Sequence, residues 1–335
     1  MTVPTNTTQT FSQSNIREDL IDLIFNVDPY ACPIVNRAKK VKAEQRNHEW
    51  DTDIIPVQNL SNLQIEGDDA TADSQNATAR LGNVCAISRK VVALSGSLQA
   101  VRSAGGSNRM GYQILRNAKA LKRDMEGILT NNTAKATGNS STATTPGSIQ
   151  AYLTRNTVFN SGGAPAGANP TGVQTIGSQS FGDGTTARTY SGTTVAITEA
   201  MLDSMSQLVY TGSGESIETL LVSAANKQNI SKFTGPSGVT RFVRVDDKND
   251  KSLQVAIDRY EHDFGEFEVM PDLFLGKSKD CLGIRWQYVR LAQLRPFETE
   301  PLAKTGDSDR KMLIVEYSLE IGNEHALGLI TDTTG

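Results

Sequence analysis

Three histidines and three cysteines are the side chains of this sequence best suited to bind a metal ion or to act as catalytic groups. His48, His262 and His325 are isolated from one another, and none has a second ligand at helical spacing. Glu49 and Glu261 directly adjoin two of them, so on a strand each glutamate would point to the opposite face. The histidines therefore predict no metal site.

The cysteines Cys32, Cys85 and Cys281 are odd in number and far apart in the chain. Their spacing fits neither a zinc site nor a disulfide framework. We predict free thiols that act as small apolar side chains, in a protein made in a reducing compartment.

Two glycine-containing segments resemble nucleotide-binding loops in residue type but not in their surrounding sequence. Gly276-Lys277-Ser278 lacks the glycine that a phosphate-binding loop needs five residues before its second one, because Pro271 stands there. The segment 182–187 matches a dinucleotide fingerprint but follows no apolar strand and opens no helix, so we interpret it as a turn. The sequence predicts no cofactor.

Oxygen-bearing side chains cluster at one turn, formed by Asp246, Asp247, Asn249 and Asp250. They could hold a calcium ion, but the bidentate glutamate that closes an EF-hand loop is missing. A solvated hairpin turn is the simpler interpretation.

No nucleophile-elbow sequence supports a Ser–His–Asp or Cys–His arrangement. The residues therefore favour assembly over catalysis.

Composition limits the class of protein. The chain has 335 residues, 38% of them hydrophobic and 21% charged, and its length fits roughly two domains. The net charge of −4 provides no global basic field for nucleic acid or membranes. Met1 to Ser14 has no basic residue and no apolar run, and no window reaches the roughly 20 apolar residues of a membrane span. We expect a soluble, cytosolically made protein without a signal peptide or membrane partner.

The first third of the chain predicts a short helix, two strands and an unusual connection. The helix begins after Asn15 and stops at Asp28-Pro29. The strands are His48–Ile55 and Val84–Leu94. Between them, Pro56–Gly82 is polar and acidic with no helical period. An uncovered connection this long normally signals function or contact with another chain.

The clearest predicted helix runs from Arg109 to Leu129. Its apolar residues recur at helical spacing and indicate a stripe packed on a core: Met110, Ile114, Ala118, Leu121, Met125 and Ile128. Cations occupy the other positions, namely Arg116, Lys119, Lys122 and Arg123. This pattern is typical of a solvated face, and contact with phosphate is the alternative.

Residues 131–190 are poor in charge and rich in Thr, Ser, Gly and Asn, which indicates a turn-dense region packed on something. Two helices are predicted after it. One is capped by Thr198 and ends before Gly212, and the other is capped by Ser223 and runs through Phe233.

Strands dominate the remainder. They are predicted at Leu220–Val222, Phe242–Val245, Leu253–Ile257, Phe264–Val269, Ile284–Leu294 and Met312–Ile321. The pattern predicts an α+β fold in which residues 135–235 form an inserted domain.

A series of short segments has an informative order and spacing. They are Arg17-Glu18-Asp19-Leu20, Asp28-Pro29, His48-Glu49-Trp50, Thr52-Asp53, Glu66-Gly67-Asp68, Arg80, Asn83, Ser95-Gly96-Ser97, Ala104-Gly105, Tyr112-Gln113, Leu121-Lys122-Arg123-Asp124, Glu126 and Leu302-Ala303-Lys304-Thr305-Gly306-Asp307-Ser308. Together they resemble the major capsid proteins of tailed bacteriophages with the Hong Kong 97 fold, in the branch typified by podovirus-like capsids. The resemblance covers most of the chain and is weakest over 135–195.

The resemblance implies a capsid fold with an N-terminal arm, an extended E-loop, a P-domain with a long spine helix, and an A-domain. The implied ranges are 1–45 for the arm, 46–97 for the E-loop, 98–134 with 236–335 for the P-domain, about 109–130 for the spine helix, and 135–235 for the A-domain. An E-loop lies across a neighbouring subunit, which would explain the uncovered connection.

The implied function is self-assembly into the pentamers and hexamers of an icosahedral shell around double-stranded DNA. Such a shell is part of a virion and is built in the host bacterial cytoplasm. The implied partners are further copies, scaffolding and portal proteins, an optional decoration protein, and DNA bound non-specifically. An encapsulin-like nanocompartment shell is the alternative, and an enzyme with an unrecognised site is an alternative of a different class.

Two charged groups carry the site predictions that accompany this resemblance. The first is the acidic tip of the E-loop, expected to dock against basic residues of an adjacent subunit. Its members are Glu66, Asp68, Asp69 and Asp73. The second is the cationic face of the spine helix, expected to face packaged DNA. Its members are Arg116, Lys119, Lys122 and Arg123.

Some capsids of this fold are locked by isopeptide bonds formed by an E-loop lysine. Here no lysine lies between Lys42 and Lys90. Lys90 falls near the base of the loop, on a predicted strand, where it reaches its own domain. We therefore predict a non-covalent shell.

Overall fold

The computed structural model describes residues 32–56, 58–67, 69, 72, 75–101, 109–160, 167–233, 259–275, 279–304 and 306–334. The helices are α1 (Pro33–Arg37), α2 (Gly96–Ala100), α3 (Arg109–Leu129), α4 (Ile149–Tyr152), α5 (Glu199–Ser213) and α6 (Ala224–Ile230). The strands are β1 (Lys39–Lys42), β2 (Asn47–Thr52), β3 (Ala79–Val84), β4 (Ala86–Ser95), β5 (Thr157–Phe159), β6 (Val173–Ile176), β7 (Gln179–Gly182), β8 (Thr219–Val222), β9 (Arg259–His262), β10 (Gly265–Pro271), β11 (Cys281–Ile284), β12 (Val289–Leu302), β13 (Ser308–Ile321) and β14 (Gly328–Thr331).

The long helix α3 packs on a four-stranded sheet with the order β1-β12-β13-β4. Its apolar stripe faces the sheet because Leu121, Met125 and Leu129 are fully buried. Met110 and Ile114 are partly buried against the same core. The helix predicted over Arg109–Leu129 is thus confirmed. Apolar residues that recur about every 3.6 positions line one side of a helix, and that side packs on the core.

A six-stranded mixed sheet forms the second core, with the order β5-β14-β11-β8-β10-β9. Its strand β8 runs parallel to β10 and antiparallel to β11. Helix α5 covers it, with Leu202, Met205 and Val209 fully buried. The sheet draws two strands from residues 135–235 and four from the chain beyond, so both parts contribute to one core.

Several predicted boundaries are wrong, each for a local reason. Gly212 lies inside α5, which ends at Ser213 and is capped by Gly214, whose φ of 71° is the left-handed conformation that glycine adopts easily. Helix α6 does begin after Ser223, whose Oγ accepts a hydrogen bond from the Asn226 N–H, but it ends at Ile230. The strand predicted from Ile284 onward is split by a 3-10 turn before β12.

The strand predicted over Val84–Leu94 divides at Cys85 into β3 and β4, because the pairing partner changes from β2 to β13. Other predictions lie outside the described residues. These are the helix after Asn15, the strands Phe242–Val245 and Leu253–Ile257, the turn at Asp246–Asp250, and Gly276–Ser278. No helix in the described ranges is long and apolar enough to cross a membrane.

Candidate inter-subunit surface

A long hairpin packs on β13 and on the β6–β7 hairpin, and it consists of β2, β3 and the connection between them. β2 and β3 pair in antiparallel register from Asn47↔Val84 to Thr52↔Ala79. The described residues between Thr52 and Ala79 contain no strand. We call residues 53–78 the hairpin tip.

The base of the hairpin is fastened to β13 through one buried carboxylate. The Nε2 atom of His48 lies 2.9 Å from Oε2 of Glu320, and Arg290 Nη1 donates to Oε1 of the same carboxylate at 2.8 Å. Glu320 is buried, so both partners interact with it where water screens them little. The hairpin therefore leaves the sheet at a fixed point.

Asn83 on β3 adds a second attachment. Its Nδ2 donates to the Leu319 carbonyl at 2.9 Å and to the Gly147 carbonyl at 3.2 Å, and its Oδ1 accepts from the Gly147 N–H at 2.8 Å. One buried amide thereby ties β3 both to β13 and to the loop before α4. Buried amides keep such bonds because leaving them unmade is costly.

Gly82 is the third point of attachment. Its carbonyl accepts hydrogen bonds from Lys135 Nζ at 2.7 Å and from Tyr152 OH at 3.0 Å. Burial lowers the pKa of Lys135. A Cβ at position 82 would stand 2.8 Å from Cγ of Glu49, so glycine allows β2 and β3 to approach here.

The hairpin tip exposes large apolar side chains. Ile55, Leu60, Leu63 and Ile65 are 91%, 85%, 87% and 80% exposed. Isolated exposed apolar residues are ordinary, but four of them within eleven positions of one loop form the kind of patch that marks an interaction surface. The sequence analysis missed these residues because it considered only the acidic side chains of the segment. The sequence did contain a signal for this patch, because large aliphatic residues occur there in a polar segment that forms no core of its own.

The predicted acidic residues are placed only in part. Glu66 and Asp69 are exposed and follow the apolar group, whereas Asp68 and Asp73 lie outside the described residues. The tip as a whole contains five acidic residues and no basic one. It therefore combines apolar area with a negative charge.

The predicted cationic face lies on α3. Arg116 and Lys119 are exposed, while Lys122 and Arg123 are half-buried. Arg116 and Arg123 are seven residues apart and so share one side of the helix, away from buried Leu121. The four cations are therefore on one helix, but they are not equally accessible.

Lys90 and Asp124 join β4 to α3. Lys90 Nζ lies 2.7 Å from Oδ2 of Asp124. The amine therefore engages its own subunit, as expected from its place near the base of the hairpin.

The buried carboxyl group of Glu126 holds α1 against α3. Oε1 and Oε2 of Glu126 accept hydrogen bonds from the N–H groups of Ile34 and Val35, each at 2.8 Å. Burial raises the pKa of Glu126 to about 8, the two N–H donors oppose that rise, and nearby Asp272 adds to it. The segment entering the fold at Cys32 is thereby anchored on the long helix.

The groups suited to chemistry are dispersed. Among the described residues, no cluster of three His, Cys, Asp or Glu side chains could hold a metal ion. The cysteines are free and buried, and burial raises the thiol pKa to about 12 for Cys32 and Cys281 and to about 11 for Cys85. Such thiols are poor nucleophiles at neutral pH.

Comparison with protein families gives a match over nearly the whole sequence. A family model described as SU10 major capsid protein matches residues 3–334. The major capsid protein of Escherichia phage Phieco32 is 27% identical over 125 residues, which are 37% of this chain and 36% of that protein. The aligned part thus spans about a third of the curated relative.

Solved structures match over almost their full length. The Cyanophage A-1(L) capsid asymmetric unit has a TM-score of 0.62 at 12% identity, covering 99% of this chain and 100% of the other. A protein of Mycobacterium phage Adephagia has a TM-score of 0.59 at 8% identity, covering 97% and 98%. The capsid of a native GTA particle has a TM-score of 0.58 at 12% identity, covering 97% of each chain. At these identities the likeness establishes the fold alone.

Proposed function

Because the chain belongs to the SU10 major capsid protein family, we propose that its copies assemble into the pentamers and hexamers of an icosahedral shell that encloses double-stranded DNA. The shell is part of a virion and is assembled in the cytoplasm of the bacterial host. The family match does not favour an encapsulin-like nanocompartment.

The exposed apolar group of the hairpin tip is the observation that carries the proposal. Full burial of a Leu or Ile side chain contributes about 1.5–3 kcal/mol, whereas an exposed ion pair contributes about 0–1 kcal/mol. Ile55, Leu60, Leu63 and Ile65 therefore outweigh the acids of the tip as a source of binding energy. Repetition of one such contact around a closed shell multiplies it over every copy.

We assign the long hairpin, within residues 46–97, to the E-loop, and α3 to the spine helix. We assign residues 1–45 to the N-terminal arm, 98–134 with 236–335 to the P-domain, and 135–235 to the A-domain, whose strands β5 and β8 share the six-stranded sheet with four strands of 236–335. Three attachments at His48, Asn83 and Gly82 support the E-loop assignment, because a loop that overlaps a neighbour needs a fixed base.

Packaged DNA contacts the inner face of the shell in this proposal. The cations of α3 supply sequence-independent contacts that weaken as salt rises. Scaffolding and portal proteins direct assembly, and a decoration protein is the source of any further reinforcement. The support for DNA contact is the exposure of Arg116 and Lys119 on a chain whose net charge is negative.

Negative-stain microscopy of the expressed protein tests the proposal. Closed shells or capsomer rings support it, and a monodisperse monomer under all conditions, with or without a scaffolding protein, contradicts it. Screening the same sample for turnover of common substrates tests the enzyme alternative.

A further inference from the structure

Three buried polar side chains lie where the turn-dense region 131–190 meets the six-stranded sheet. Arg188 is 4% exposed, and Asp280 and Gln150 are fully buried. Arg188 lies between β7 and α5, Gln150 lies on α4, and Asp280 directly precedes β11. Burial of charged and polar groups is costly unless each of them is paired or hydrogen-bonded.

Each of the three side chains is only partly satisfied. Nη2 of Arg188 donates to the Leu153 carbonyl at 2.8 Å, and Oδ2 of Asp280 accepts from the Tyr190 hydroxyl at 2.8 Å. Nε2 of Gln150 donates at 2.7 Å to the backbone carbonyl of the residue after α3. The other polar atoms of these side chains are buried and have no hydrogen-bond partner among the described residues. They are Nε and Nη1 of Arg188, Oδ1 of Asp280 and Oε1 of Gln150.

The three side chains are close enough to influence one another. Burial lowers the pKa of Arg188, and nearby Asp280 opposes that change. Burial raises the pKa of Asp280 to about 7, and Tyr190, Arg188, Thr331 and Gln150 oppose that rise. Within the described part of the chain, however, Nε and Nη1 of Arg188 make no direct contact with Oδ1 of Asp280. The two charges therefore interact across a short gap.

The chemistry of the unpaired atoms selects what can fill this gap. The free atoms of Arg188 are donors, whereas ionised Asp280 and Oε1 of Gln150 provide only acceptors. An anion would be repelled by Asp280, and a metal cation would be repelled by Arg188. A water molecule accepts from Arg188 and donates to both oxygens, and buried waters typically make about three such bonds.

We propose that an ordered water molecule binds between Arg188, Asp280 and Gln150 and bridges the buried ion pair. The bridge joins the segment before α5 to the start of β11. Through Leu153, it also connects this segment to the end of α4. It thereby holds the turn-dense region on the six-stranded sheet. The inference concerns a single folded chain, so it stands or falls independently of the proposed function.

A crystal structure of the full-length protein, solved at a resolution that shows ordered water, tests the site directly. We expect density within hydrogen-bond distance of Arg188 and Asp280. A second crystal is soaked in caesium bromide, because both of its ions scatter anomalously. No anomalous peak is expected at the site. A bromide or caesium peak there, direct contact between the two side chains, or an absence of density would each overturn the inference.

A double-mutant cycle provides an independent measurement by urea unfolding of full-length chains. Arg188→Met and Asp280→Asn should each lower the equilibrium ratio of folded to unfolded chain about tenfold or more, because each leaves buried groups without partners. The double variant should lose at least about fivefold less than the product of the two single losses, as bridged partners do. Independent effects of the two substitutions would overturn the inference.

The exposed pair of Arg259 and Glu266, whose charged atoms are 3.5 Å apart, is the matched control. The cycle of Arg259→Met with Glu266→Gln should show little coupling, because water screens an exposed pair. Circular dichroism checks that every variant folds. If Arg188→Met does not fold, the crystal structure of the native protein still decides between the outcomes.

Discussion

His48 and Glu320 are 272 residues apart in the chain, yet their side chains meet at 2.9 Å where the long hairpin joins β13. Glu320 also binds Arg290, so a single buried carboxylate holds two positively polarised groups from two strands. This contact sets the position from which the hairpin leaves the sheet. It therefore fixes the base of the hairpin on the sheet of its own chain.

Removal of this contact should loosen the hairpin. We expect His48→Ala to lower the free energy of unfolding by about 1–3 kcal/mol, because it leaves a buried carboxylate oxygen without its partner. Urea unfolding measures the loss, and hydrogen exchange of β2 should rise. Glu49→Ala, an exposed neighbour whose ion pair with Arg80 is solvated, is the matched control and should change little. Equal effects from both variants would contradict this role for His48.

Glu126 should make stability depend on pH. Its pKa is about 8 in the folded protein against 4.5 ordinarily, so between these values the folded state holds a proton that the unfolded state releases. The contribution of Glu126 to the free energy of unfolding is largest below about pH 4.5 and falls as pH rises toward about 8. Asp272, whose pKa is raised to about 6, acts in the same direction.

Urea unfolding of Glu126→Gln at several pH values tests this sign. The variant should lose less stability than the native chain between pH 5 and pH 8, because an amide does not titrate. Glu66→Gln, at an exposed site, is the control and should follow the native profile. A steeper loss in Glu126→Gln would contradict the assignment.

The apolar tip should matter more to assembly than its acids. Leu63→Ser with Ile65→Ser removes side chains worth about 1.5–3 kcal/mol each when buried, and shell formation should fail at concentrations where the native chain assembles. Glu66→Lys with Asp68→Lys should impair assembly to a smaller degree. Leu63→Met keeps the apolar area and should assemble. Sedimentation separates shells from unassembled chain, and normal shells from the double serine variant would contradict the prediction.

Packaged DNA should be held less firmly when α3 loses positive charge. Arg116→Glu with Arg123→Glu should form shells but release DNA at lower salt than native particles, since phosphate contacts depend on salt. Arg116→Lys with Arg123→Lys is the matched control. DNA release measured across a salt series gives the comparison. A particle structure in which all four cations of α3 face the exterior or the acidic residues of a neighbouring copy would contradict this prediction.

The shell should contain no covalent links between subunits. No lysine lies between Lys42 and Lys90, and the amine of Lys90 is engaged by Asp124. Boiling mature particles in denaturing detergent should release a single band near 36.2 kDa. A ladder of oligomers too large to enter the gel would contradict this prediction.

The sequence predicted the features that depend on local periodicity. The α+β capsid fold implied by the segment resemblance is confirmed, and α3 begins and ends where its apolar repeat does. The sequence did not predict contacts between distant residues, such as Glu126 with Ile34, because spacing along the chain carries no information about them. The apolar tip was missed for a related reason: exposure of Ile55, Leu60, Leu63 and Ile65 depends on what the rest of the fold leaves uncovered, which spacing along the chain does not show.

The order of strands in the six-stranded sheet has a consequence for synthesis on the ribosome. β14 follows every other strand of that sheet in the chain, yet it lies inside the sheet, between β5 and β11. A nascent chain therefore cannot close this core until Gly328–Thr331 has been made. Until then β5 has no neighbour in the sheet. An unfinished chain therefore lacks a complete six-stranded core, and the last residues to be made are the ones that finish the subunit.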